Sequence, residues 1–73
     1  MSIIQSILIP KKYPVKTAEL MVKREGGRIG KRDETARYHR FRQISPKKVK
    51  PNSYRIHRKG YVIFIYAKLK KKD

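Results

Sequence analysis

The sequence predicts a small α+β domain of order β-α-β-β-β, an antiparallel-rich four-stranded sheet with one helix packed on one face. Three observations predict it: a β-branched run near the start, one amphipathic stripe closed by Gly26-Gly27, and two strand-like runs flanking Lys59-Gly60. Seventy-three residues make one small domain, 1–73, expected to end in a frayed basic tail at 70–73. A chain of this size buries only about 60% of its unfolded surface, so its reserve of stability is small. With no cysteine, neither a disulfide nor a thiolate metal site adds to that reserve.

Each element follows from its local pattern. Ile3–Ile9 is β-branched, ends at Pro10 and reads as a strand; simple alternation puts Ile3, Gln5, Ile7 and Ile9 on one face and Ile4, Ser6 and Leu8 on the other. Both faces are largely apolar, as in a strand covered on both sides. Val15–Glu25 reads as a helix, with Pro14 or Thr17 at its start and Ala18, Met21, Val22 and Glu25 along one stripe. Thr35–Ile44 reads as the second strand, and Ser53–Arg58 with Tyr61–Leu69 as a hairpin. Hairpin connection predicts that the last three strands are antiparallel neighbours; the place of the first strand is not readable. One short helix covers one face of such a sheet, so the other face exposes Phe64, Tyr66 and Leu8, or the mirror set. Phe64 and Tyr66 are therefore the candidate protein interface.

The charge is the strongest functional signal. There are 21 Lys and Arg against 5 Asp and Glu, formally +16. Residues 1–30 hold six basic and two acidic residues, a net of +4, and residues 31–73 hold 15 and three, a net of +12. So basic a chain repels itself when compact, and nucleic acid is the commonest remedy, through phosphate contacts and counterion release. The candidate nucleic-acid contacts are Arg28, Lys31, Arg32, Arg37, Arg40, Arg42, Lys47, Lys48, Lys50, Arg55, Arg58 and Lys59. Guanidinium forks bind phosphate, and aromatic rings between them stack bases. Tyr38 and Phe41 have a competing reading as core. The loop "GGRIGKR" offers a glycine nest for phosphate, or an ordinary connection.

Other chemistry is excluded or weak. "IIQSILI" is too short to span a membrane, which takes about 20 residues, and no secretory signal is recognisable. Asp33 and Glu34 are adjacent, so they point to opposite sides of a strand rather than converging on a metal ion. His39 and His57 are too few for a structural zinc site. No nucleophile stands beside a base with an orienting acid. The chain reads as no enzyme, with no metal and no cofactor.

"QSILIPK" (residues 5–11), the motif "DETARYHRFRQ" (residues 33–43) and the apolar run after Lys59-Gly60 together resemble a group of short proteins encoded by tailed phages and large DNA viruses of eukaryotes. The motif positions are Asp33, Glu34, Thr35, Tyr38, Phe41, Arg42 and Gln43. That group has no settled activity. The resemblance implies a viral origin and one compact domain, and it carries over no catalytic residue. Together with the charge it points to a virus-encoded protein that binds nucleic acid, DNA in preference to RNA, in genome packaging, condensation or expression. The alternative is a minor structural protein of the virion, held by capsid proteins or by self-association; a ribosome-associated protein is third. The expected location is the virion or the host cell interior, cytoplasm or nucleus.

Overall fold

The computed structural model describes residues 2–70. The expected tail at 71–73 lies outside them. Five strands and one helix form: β1 (Ser2–Pro10), α1 (Val15–Arg24), β2 (Arg32–Glu34), β3 (Tyr38–Arg42), β4 (Arg55–Lys59) and β5 (Val62–Lys68), with a short 3-10 turn at Pro46–Lys48. The α+β class holds, and the sheet gains one strand over the expected four. Its order is β2-β3-β1-β5-β4, and every neighbouring pair is antiparallel.

The extra strand arises from a turn inside the expected Thr35–Ile44 run. The Thr35 hydroxyl donates to the carbonyl of Tyr38 at 3.1 Å and accepts from its N–H at 3.0 Å. Thr35 N–H also donates to Tyr38 O at 2.9 Å. A side chain that bonds its own backbone three residues on competes with strand extension. Asp33 and Glu34 thereby fold back along β3 as an edge strand, pairing with Arg40 and His39.

The strand order overturns one expectation. β3 and β4 are not neighbours, because β1 and β5 lie between them. β1 takes the centre, where its two apolar faces are both used. The chain from β3 to β4 is a crossing rather than a hairpin: Val49 bridges Leu69, Lys50 N–H donates to Lys68 O at 2.8 Å, and Lys70 N–H donates to Lys48 O at 3.0 Å. Lys70, expected to fray, is tied by that last bond.

A bulge in β1 overturns another. Ile4 faces Tyr66 while Ser6 faces Ile65, so Gln5 is an extra residue against β5. An inserted residue reverses the alternation beyond it. Ile4, not Ile3, therefore joins Ile7 and Ile9 in packing beneath the helix. Ile7, Ile9, Phe41, Val62 and Phe64 make the core with Ala18 and Val22 of the helix. Phe64 is only 5% exposed, and Tyr66 is half-buried against the same cluster. Phe64 is thus withdrawn as an interface residue, because α1 lies on its face. The face away from α1 carries the mirror set: Ile63 is buried there, Leu8 and Ile65 are half-buried, and Ile56 is 66% exposed.

The helix ends are those the glycines and proline require. Pro14 is the N-cap, and its carbonyl accepts from Ala18 N–H at 2.9 Å. Thr17 lies inside the helix. At the other end Gly26 has φ 80°, and two closing bonds form: Gly26 N–H to Lys23 O and Gly27 N–H to Val22 O, both 2.9 Å. That pair is a Schellman closure. Gly27 is needed for another reason, since a Cβ there would stand 2.6 Å from Ile7 Cδ1 and 2.8 Å from Val22 Cγ1. The hairpin between Lys59 and Val62 turns on Gly60, at φ 60°, as a two-residue loop of the II′ kind favours.

Phe41 is fully buried at the centre of this small core. Phe41→Ala is expected to cost about 3–5 kcal/mol. That equals the reserve of about 3–5 kcal/mol typical of a single core this small. Urea denaturation followed by circular dichroism should find the variant largely unfolded without denaturant.

Candidate nucleic-acid interface

The motif "DETARYHRFRQ" is mainly engaged with the rest of the fold: His39 and Phe41 are buried, and most of its other polar side chains bond neighbouring segments even where they are exposed. Its two acids divide between the faces of the sheet, as adjacent strand residues must. Glu34 goes to the helix side, where His39 Nδ1 lies 3.0 Å from Oε2. His39 is buried, and its Nε2 donates to the carbonyl of Tyr13 at 2.8 Å. One imidazole thus joins the edge hairpin to the loop that leads into α1. Lys11 Nζ at 3.4 Å and Arg32 Nε at 3.0 Å complete the cations around Glu34. The hydrogen bond from His39, with the attraction of His39 and Lys11 behind it, holds the Glu34 carboxyl below its ordinary value of 4.5. Asp33 goes to the other side, and its Oδ2 lies 2.9 Å from Arg42 Nε. The Arg42 N–H does not point along that line, so the contact is ionic rather than a hydrogen bond.

Arg40 and Gln43 are also built into the fold. Arg40 Nε donates to Ser6 Oγ at 3.1 Å and Nη2 to Gln5 Oε1 at 3.2 Å. The bulge places both partners on the uncovered side of the sheet, buried, where they need such donors. Gln5 Nε2 in turn donates to Ile44 O at 2.9 Å, tying the start of the crossing. Gln43 grips the glycine loop: Arg28 N–H donates to its Oε1 at 2.7 Å, and its Nε2 donates to Arg28 O at 2.9 Å. This is a loop held through its backbone, with Arg28's side chain left exposed.

The remaining expected contacts fall in separate places. Tyr38, Arg40 and Arg42 share the uncovered face of β3, with Tyr38 half-buried at one end. Arg37 is exposed in the β2–β3 turn. Lys47, Lys48 and Lys50 are exposed along the crossing. Arg55, Arg58 and Lys59 stand on β4, at the opposite edge of the sheet from β2. They therefore do not extend the β3 surface as neighbours, and His57 is not beside His39. His57 packs near the rings of Phe64 and Tyr66, with centroids at 6.4 and 6.3 Å. Lys59 is paired to Glu25 at 3.0 Å. Among the described residues, the Lys and Arg within ion-pairing distance of a carboxylate are Lys11, Arg32, Arg42 and Lys59. Sequence reasoning did not find the grouping around Tyr61, where Lys12 Nζ stands 4.5 Å from the ring centroid and Tyr13 packs edge-on at 5.9 Å. No spacing in the sequence joins residues so far apart. Among the described residues there is no group of three potential metal ligands, and no helix is long and apolar enough to cross a membrane.

Two predictions separate fold from surface in this motif. Arg40→Ala removes charged hydrogen bonds to buried groups and is expected to cost about 1.5–3 kcal/mol. Arg42→Ala removes a half-exposed ion pair, worth about 0–1 kcal/mol. Urea midpoints of the two variants should therefore differ in that order. The second concerns pH. Glu34 has a folded value below its unfolded one, so its contribution is present above pH 4.5 and is lost as pH falls through the lower folded value. Glu34→Gln should be less stable than the native chain at neutral pH, and the gap should close as pH falls through the lowered folded value; an unchanged gap would remove Glu34 from the linkage.

No family model, curated protein or solved structure matches this chain.

Proposed function

We propose that this is a non-enzymatic, virus-encoded protein whose basic surface binds nucleic acid, DNA in preference to RNA, in packaging, condensation or expression of a genome. The observation that carries the reading is the imbalance of charge after folding. Glu25, Asp33 and Glu34 are already paired with Lys59, Arg42, Lys11 and Arg32, so they do not offset the other cations. Arg28, Lys31, Arg37, Lys47, Lys48, Lys50, Arg55 and Arg58 are all exposed and without an ion pair among the described residues. A polyanion relieves their mutual repulsion and gains the entropy of released counterions. The viral origin rests on the motif resemblance alone.

A second reading is favoured by a different observation. Ile56 is 66% exposed on the sheet face that α1 leaves open, beside Ile65 of β5. Such a face suits a protein surface, and a minor structural component of the virion, seated on coat proteins, would use it. The two roles are compatible for a protein lying between coat and genome.

Salt titration tests the first. With six or more phosphate contacts, oligonucleotide affinity should fall about 10³-fold or more between about 50 and 200 mM salt. Affinity that hardly changes over that range sinks the nucleic-acid reading. The coat role instead requires a fixed copy number per particle, kept after nuclease treatment.

A further inference from the structure

The end of the sheet where β1 begins and β3 ends carries an open cleft of about 650 Å³. That volume lies in the range of about 300–1,000 Å³ usual for small-ligand sites. Arg28, Lys31, Arg42 and Lys48 stand around it, Ile3 and Ile44 are among its apolar lining, and no carboxylate lines it. These cations come from three separate segments: the glycine loop, β3 and the 3-10 turn.

Each is fixed at its backbone by a bond already described or a neighbouring one. Gln43 clamps Arg28 at both its N–H and its carbonyl. Arg42 N–H donates to Lys31 O at 2.9 Å, so those two cations are fixed relative to each other. The Lys48 N–H donates to Ser45 O at 3.0 Å, and its carbonyl accepts from Lys70. Asp33 Oδ2 lies 2.9 Å from Arg42 Nε without a hydrogen bond to it, so Arg42 meets the cleft as one half of an ion pair. Anchored backbones, with Arg28, Lys31 and Lys48 unpaired among the described residues, lower the ordering cost of binding an anion.

We infer that this cleft seats a single-stranded phosphodiester chain, with phosphates on the four cations and a base or sugar on the isoleucine lining. This rests on the nucleic-acid reading and makes it specific. A duplex presents a convex surface with its bases stacked inside, so it meets such cations only at the rim and leaves the apolar lining wet. An unstacked strand supplies both an anion and an apolar ring to one concave site.

The test is fluorescence anisotropy with a labelled oligothymidylate of about a dozen nucleotides and a duplex of equal length. Arg28→Gln with Lys48→Gln removes two of the cleft's four cations, and neither side chain makes a bond within the described fold. Lys16→Gln with Lys23→Gln removes the same charge from exposed positions on α1. The native chain should prefer the single strand. The cleft pair should lose about 20-fold in single-strand affinity at about 0.1 M salt, and its salt slope should drop by about 1.4, two contacts at about 0.7 each. The helix pair should lose less than a quarter of that. Equal losses in the two variants, or a native preference for duplex, overturn the cleft and leave general polyanion binding standing. Native protein that binds neither probe overturns both.

Discussion

The fold depends on one strand being paired along both of its edges. β1 is flanked by β3 and β5, so both of its edges are hydrogen-bonded, and its residues contribute to both faces. The sheet's exposed edges then fall to β2 and β4, whose sequences are Arg32-Asp33-Glu34 and Arg55-Ile56-His57-Arg58-Lys59. Charged edges resist pairing with another chain. The central apolar strand and the charged rims are thus one arrangement, with Ile56 of β4 the exposed apolar residue within it.

Within β1, the extra residue at Gln5 decides what the neighbouring strands do. It sends Ile4 to the helix side and leaves Gln5 and Ser6 buried beside Arg40. Two buried polar side chains in so small a core would be costly without donors. The arginine supplies them, and Gln5 passes the connection on to Ile44. The bulge therefore sets the path by which the chain leaves β3, and that path carries Lys47, Lys48 and Lys50.

Much of this was legible in the sequence. The helix, its glycine closure, the Lys59-Gly60 turn and the burial of Phe41 follow from local pattern. Three features did not, each for a physical reason. The Thr35 turn rests on a hydroxyl bonding its own backbone, which leaves no mark on hydrophobic period. The bulge breaks alternation inside an apolar run where either register looks the same, so simple alternation puts Ile3 on the face that Ile4 occupies. The strand order depends on which edge of β1 each later strand finds, and residues 45–52 read as a loop in every arrangement. Which face stays open rests with the helix, which packs on β1 and β3 and shares one core cluster with Phe64, and no local pattern shows that choice. Of the candidate site, the cationic character was readable and the grouping was not.

The same residues explain why motif and charge separate. Thr35, Phe41 and Gln43 make core or backbone contacts that do not depend on the charge of the chain. Gln43 holds the glycine loop by its main chain, which leaves the identity of residue 28 free. The 3-10 turn is closed by Ser45, which leaves residues 47 and 48 free. Scaffold residues thus fix where side chains project without fixing what they are. Basic residues at those projecting positions turn an ordinary loop cluster into an anchored cationic cleft, and no motif residue has to change for it to arise.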